Sequence, residues 1–149
     1  MEIEFRLDWA KPGKPVARAF KLKSAYELAE EYAGRIRKFV PCKILGQTPA
    51  PKAQGTQTWM CSREGRMLSS EALAGILAKL NDGGVRRLVI WIGGPDGFST
   101  KTVEECRPEL EWSFGPLTLP HELAAGVACE QMYRAWTIIR NLPYHKGHI

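Results

Sequence analysis

A chain of 149 residues, 44% hydrophobic and 25% charged, is long enough for one core and too apolar for a disordered tail, which predicts a single domain over 1–149. The formal charge of +5 sits in the first part, where residues 1–66 carry 13 Lys and Arg against 7 Asp and Glu while residues 67–149 carry 8 against 9, a balance compatible with a polyanionic partner. No apolar run approaches the roughly 20 residues that cross a bilayer, and Met1 to Asp8 lacks the apolar core of a signal peptide, so a cytoplasmic protein without a membrane partner is expected.

Ile3, Phe5 and Leu7 alternate with Glu4, Arg6 and Asp8, the period-2 pattern of a half-buried strand. Lys11 to Lys23, with Pro12, Gly13, Pro15 and a run of basic residues, reads as an exposed, mobile loop. Ser24 then predicts an N-cap for a helix whose inward stripe is Leu28, Tyr32, Ile36 and Phe39 or Val40, ended by Pro41. A short strand over Lys43 to Gly46 follows, then a loop from Thr48 to Gln57 and a strand over Thr58 to Cys61. Ser69 caps a helix carrying Leu73, Ile76, Leu77 and Leu80, which Gly83 and Gly84 stop.

Arg87 to Ile92 is nearly continuously apolar, as in a parallel strand covered on both faces, and is expected at the centre of the sheet. A short helix over Ser99 to Cys106, a strand over Leu110 to Phe114 and a long helix over Pro120 to Arg140 complete the elements. In that last helix Leu123, Val127, Met132, Ala135, Trp136 and Ile139 are expected inward, and a tail over 141–149 follows. Strands alternating with helices predict an α/β sandwich with a parallel sheet. Cys42, Cys61, Cys106 and Cys129 lie too far apart for a metal clip, so four reduced thiols and no metal site are expected.

Four groups could carry chemistry. Ile92-Gly93-Gly94-Pro95-Asp96-Gly97 follows the central strand, where glycines let backbone N–H groups approach a ligand and serve equally well in a tight turn. No Gly-Lys-Ser/Thr follows, which disfavours nucleoside triphosphate hydrolysis. Leu117-Thr118-Leu119-Pro120-His121 offers the unpaired N–H groups of a helix start, with His121 read as a structural hydrogen bonder. Glu130 and Arg134 are four apart, the spacing of an ordinary helical ion pair, but Pro143-Tyr144-His145-Lys146 follows that helix. Tyr can stack on a base, His can exchange a proton and Lys can hold an anion, whereas the alternative is a bland tail. Trp59, Trp91, Trp112 and Trp136 are read as core rather than base platforms.

These segments, with Gly65-Arg66-Met67-Leu68-Ser69-Ser70-Glu71 and Glu31-Tyr32 with Arg35, stand in the order and nearly the spacing of the RlmH family, so the chain resembles the 23S ribosomal RNA pseudouridine N3-methyltransferases. The resemblance is specific from Gly65 onward and weak before Ser24, leaving 1–23 as a divergent strand and basic loop. It implies a SPOUT α/β fold with a C-terminal trefoil knot, a homodimer, and S-adenosyl-L-methionine as cofactor, held by Cys61, Gly93, Phe114, Gly115, Pro116, Leu117, Thr118 and Leu119. It further implies that one subunit's Tyr144, His145 and Lys146 reach the other's cofactor, with ribosomal RNA or the ribosome as partner. Glu130 and Arg134 belong to that catalytic set, Arg134 and Lys146 stabilising negative charge on the acceptor and His145 taking its proton or orienting it.

The chain departs from the family at Cys61-Ser62, where a Leu-Asp-like pair is usual, at Ala125-Gly126, where an Arg and an aliphatic residue are common, and at Gly115-Pro116 in the knot loop. Two alternatives stand beside the ribosomal reading: a methyltransferase acting on another RNA such as tRNA, and a catalytically silent RNA-binding dimer of the same fold.

Overall fold

The computed structural model describes residues 1–47 and 52–146, so part of the expected Thr48 to Gln57 loop and the end of the 141–149 tail lie outside the described residues. Among the described residues, five strands form one wholly parallel sheet: β1 (Glu2–Leu7), β2 (Cys42–Leu45), β3 (Thr56–Met67), β4 (Arg87–Ile92) and β5 (Leu110–Ser113). Four helices connect or cover them: α1 (Lys23–Ile36), α2 (Ser70–Asp82), α3 (Thr100–Cys106) and α4 (His121–Ile139). The sheet order is β2-β1-β4-β3-β5, which puts β4 at the centre as its continuous apolar run predicts.

Alternation along the strands sorts side chains to two faces. Ile3, Phe5 and Leu7 of β1 and Leu88, Ile90 and Ile92 of β4 join the main core with Trp59, Trp112 and Trp136. The intervening Val89 and Trp91 form a smaller cluster with Met60 beneath Phe98, Val103 and Cys106 of the α3 region. On that second face Glu4 and Arg6 are also buried, 3.3 Å apart, and Arg87 reaches Glu4 at 3.4 Å. All four tryptophans read as core are buried.

The boundary predicted from the Ser69 cap is right, and the short helix expected from Ser99 is capped in the same local way. Ser69 accepts from the Ala72 N–H at 3.0 Å and Ser99 from the Thr102 N–H at 3.1 Å, starting α2 and α3. The expected Ser24 cap is not made: α1 begins two residues earlier, with Leu22 at the cap position and no side-chain cap from its own neighbourhood. Its first N–H groups are satisfied from the other end of the chain, where the buried Glu122 carboxylate of α4 accepts from the Lys21 N–H at 3.1 Å and the Leu22 N–H at 2.9 Å. A carboxylate there meets both orphan donors and the positive end of the helix dipole.

This contact also corrects the reading of Lys11 to Lys23 as a mobile loop. Val16–Ala19 form a short 3-10 helix, Phe20 is buried, and the Trp9 indole donates to the Ala19 carbonyl at 3.0 Å. Glu122→Ala strands two donors at a protein-internal contact and should lower stability by about 1–3 kcal/mol. A urea melt checks this, and Glu122→Gln, which keeps an acceptor, should lose less.

The fully buried stripe of α1 is Ala25, Ala29, Ala33 and the predicted Ile36; the predicted Tyr32 is half-buried against the core, Leu28 is turned out, and the helix ends at Ile36 rather than running to Pro41. Small residues win that face because α1 packs closely on α4, which presents buried Ala125, Gly126, Ala128 and Cys129. A Cβ on Gly126 would come within 2.9 Å of the Leu28 side chain, so the glycine makes room for it. The expected inward positions Met132, Ala135 and Trp136 are buried, Val127 and Ile139 are half-buried, and Leu123, 40% exposed, is turned out, as are Leu28 and Leu22. In β3, the strand predicted over Thr58 to Cys61 extends on to Met67.

Candidate active site

The carboxyl ends of β3, β4 and β5 open onto a cavity of about 590 Å³, the end of a parallel sheet at which ligands bind in α/β folds. Cys61 and Ile92, the last pair of the β3–β4 ladder, form its floor. Gly93, Gly94 and Gly97 form one wall, Phe114, Gly115, Leu117, Thr118 and Leu119 another, and His121 and Ala124 of α4 close the side. Seven of the eight positions named from the resemblance thus meet here, and Pro116 does not line the cavity. The glycine wall is a close cradle, since a Cβ on Gly93 would lie 3.3 Å from the Gly97 backbone and from the Phe98 ring. Gly97 donates its N–H to the Gly94 carbonyl at 2.9 Å, so the tight turn is made, and the same glycines line the cavity.

The third wall was not visible in the sequence. Between Cys61 and Arg66 the β3–β5 register shifts, both residues facing Trp112, so that 62–65 bulge out of the ladder and bring Ser62 and Arg63 to the cavity. Gly65 permits this by pressing its backbone against Glu111 and Trp112, and a glycine inside a strand was the one available signal. The buried Ser113 hydroxyl lies 3.2 Å from the Arg63 carbonyl and 3.2 Å from the Gly115 carbonyl, sharing its single proton between them, and accepts from the Gly115 N–H. At the loop's far side the Arg63 guanidinium donates to the Thr118 hydroxyl.

Beside the second half of α4 lies a separate polar cluster. Arg134 donates to Glu130 at 3.0 Å, stands over the Tyr144 ring at 4.8 Å, and donates to His145 Nδ1 at 3.0 Å. That bond makes Nδ1 the acceptor, so Nε2 carries the hydrogen donated to Glu71 at 2.7 Å. The same bond holds the Glu71 carboxyl below its ordinary range. Tyr144 donates to the Tyr32 hydroxyl at 3.3 Å and packs edge-on against Tyr133, and burial raises its phenol well above the usual value. The 143–146 segment is therefore docked through Tyr144 and His145, while Lys146 is exposed. Glu71 and Tyr32 complete this cluster although nothing in their spacing connects them to the tail.

The structure brings the catalytic candidates together and the cavity candidates together, but not the two groups. Among the described residues, none of the tail lines the cavity. Ala124 at its rim and Arg134 are ten positions apart on α4, about 15 Å at a rise of about 1.5 Å per residue.

Residues 16–145 match the family described as "Predicted SPOUT methyltransferase". The chain belongs to the SPOUT methyltransferase family. It is similar to the ribosomal RNA large subunit methyltransferase H of Acidithiobacillus ferrooxidans, at 35% identity over 99% of this chain and 82% of that one. The proteins of the same name from Caulobacter sp. (strain K31), 33% identical over 98% of this chain and 90% of theirs, and from Brucella ovis, 32% identical over 93% and 85%, are similar to it as well.

A SPOUT methyltransferase uses a methyl donor, and the lining of this cavity suits a ligand that is part apolar and part polar. Ile92, Phe98, Trp112, Phe114 and Leu119 offer apolar surface, and the glycine wall offers backbone a side chain would cover. Cys61 does not bring a reactive thiolate to this SPOUT cavity: burial raises its pKa well above that of a free thiol, as it does for Cys42, pushed up to about 12, and for Cys129. All four cysteines are free thiols. Native protein treated with iodoacetamide at pH 8 should leave buried Cys42 and Cys129 unmodified, with their labelling only in denaturant, as peptide mass spectrometry would report. Among the described residues, no helix is long and apolar enough to cross a membrane and no group of three His, Cys, Asp or Glu could hold a metal ion.

Proposed function

We propose that this SPOUT methyltransferase uses S-adenosyl-L-methionine to methylate N3 of a pseudouridine in large-subunit ribosomal RNA, as a cytoplasmic homodimer with a knotted C-terminal part. The observation that carries the reading is the single cavity lined by Cys61, Gly93, Phe114, Gly115, Leu117, Thr118 and Leu119 at the carboxyl ends of three parallel strands. The names of the relatives support the ribosomal substrate. The separation of the tail cluster from this cavity supports a two-subunit site, in which one protomer's Arg134, Tyr144, His145 and Lys146 serve its partner's cavity. Leu22, Leu28 and Leu123, exposed along the α1–α4 seam, supply an apolar surface for that pairing.

When bound, the donor supplies a methyl group already activated on a sulfonium, which departs as a neutral thioether and needs no general acid. What remains for the protein is to position two reactants and to accommodate the charge of a deprotonated imide nitrogen. Arg134 and Lys146 place positive charge where the carbonyl oxygens flanking N3 become negative. His145, with Nδ1 accepting from Arg134 and Nε2–H donating to Glu71, fixes the guanidinium's direction. Taking the acceptor's proton requires the Arg134–Nδ1 bond to open, because Nε2 already carries a hydrogen.

Titration calorimetry with S-adenosyl-L-methionine tests the cavity, and mass mapping of ribosomal RNA from a deletion strain tests the acceptor. Donor binding together with one unmethylated pseudouridine in the deletion strain is the expected result. Absence of donor binding would end the reading.

A further inference from the structure

We propose that Arg63 is a positioning residue for the methyl donor: from the β3 bulge it clasps Thr118 and holds the 114–119 loop in the shape that binds the donor. This rests on the reading that the cavity takes S-adenosyl-L-methionine.

The loop needs an external hold. It leaves β5 through Gly115, whose φ of +116° lies in the region open to glycine, and Leu117 within it is 74% exposed, so its own packing restrains it little. Its root is fixed by Ser113, whose hydroxyl meets both the N–H and the carbonyl of Gly115. Its end is fixed by α4, which starts at His121. Between those points, at Thr118, the contact comes from outside the loop, from Arg63.

The bulge that carries Arg63 is stiff. Gly65 lies against the Glu111 and Trp112 backbone so closely that a Cβ would be 2.5 Å from Glu111 carbonyl atoms, and the Arg63 carbonyl lies within reach of buried Ser113. The bulge therefore grips the loop twice, by main chain at its root and by the Arg63 side chain at Thr118. Arg63 and Thr118 both line the cavity, so the bond between them spans its rim. A guanidinium suits the task, because it remains charged at any working pH and its fork reaches a hydroxyl while the stem lies along the wall. A hold of this kind acts before chemistry. It preorganises the donor's site, so its loss raises the donor concentration required and leaves the bound complex as reactive as before.

The test is donor titration and steady-state kinetics on the full-length protein with Arg63→Ala, Arg63→Lys, Thr118→Val and the Arg63→Ala/Thr118→Val double variant. For Arg63→Ala, Kd and KM for S-adenosyl-L-methionine should rise about three- to tenfold, the worth of one solvent-screened charged hydrogen bond. The kcat at saturating donor should stay within about twofold of the parent. Arg63→Lys should recover part of the affinity, Thr118→Val should reproduce the loss, and the double variant should be no weaker than the weaker single one. Unchanged donor affinity in Arg63→Ala, a fall in kcat at constant KM, or additive losses in the double variant would each overturn the clasp. Gly93→Val, which fills the glycine cradle, separates the two failures. If the parent binds donor and Gly93→Val does not, while Arg63→Ala binds like the parent, the cavity stands and the clasp falls. If the parent itself binds no donor, the cavity reading falls and the clasp with it.

Discussion

Replacing Arg134 by Ala should reduce methyl transfer by about 10²–10³-fold in kcat, the scale on which a preorganised charge acts in a transition state. Donor affinity should stay within about threefold, because an interaction that strengthens only as the imide becomes anionic contributes little to ground-state binding. Arg134 is also the hub of its cluster, bonded to Glu130 and His145 and stacked over Tyr144, so its removal frees the tail as well as deleting the charge. Arg134→Lys separates these contributions. It keeps the charge but loses the planar fork that serves two partners, and should fall between the parent and Arg134→Ala. Stopped reactions on ribosomal RNA with labelled donor, beside calorimetry on the same samples, would measure both. A kcat near the parent value in Arg134→Ala would remove Arg134 from catalysis, as normal turnover in His145→Ala would remove His145.

Gly65→Ala is expected to produce the largest loss of stability from one added carbon. The new Cβ would stand 2.5 Å from the Glu111 carbonyl carbon and oxygen and 2.8 Å from the Trp112 nitrogen. These are backbone atoms of the neighbouring strand and cannot swing away as a side-chain end could. Relief requires β3 and β5 to part where the register shifts, beside buried Trp112 and Ser113. Overpacking of this kind costs about 1–3 kcal/mol. In a chain of this length that corresponds to roughly 3–10 °C in Tm. Donor affinity should fall with it, since the displaced bulge forms a cavity wall. Differential scanning calorimetry would show the shift, and a Gly65→Ala protein as stable as the parent would mean that the two strands stand further apart at this point.

Other features were legible from the chain alone because their causes are local. The alternation of Ile3, Phe5 and Leu7, the apolar run ending at Ile92 and the cap at Ser69 each express a preference that neighbouring residues satisfy. Gly93 and the 114–119 loop could be named through the resemblance, and the parallel sheet then sets both at the same edge. Where the reading of α1 and α4 went wrong, the cause was partner choice. Helical spacing alone identifies a stripe such as Leu28 and Tyr32, but close packing of α1 on α4 buries the narrower alanine face and leaves Leu28 at its edge over Gly126.

The sequence by itself determined the elements and their alternation, since these depend on forces acting over a few positions. Tertiary structure alone decided that Glu122 caps a helix begun 100 residues earlier, that 62–65 bulge toward Thr118, and that Glu71 and Tyr32 receive the tail. Each of these joins groups far apart along the chain. No periodicity or spacing encodes such a meeting, because it exists only once the sheet and its helices fix where those segments lie.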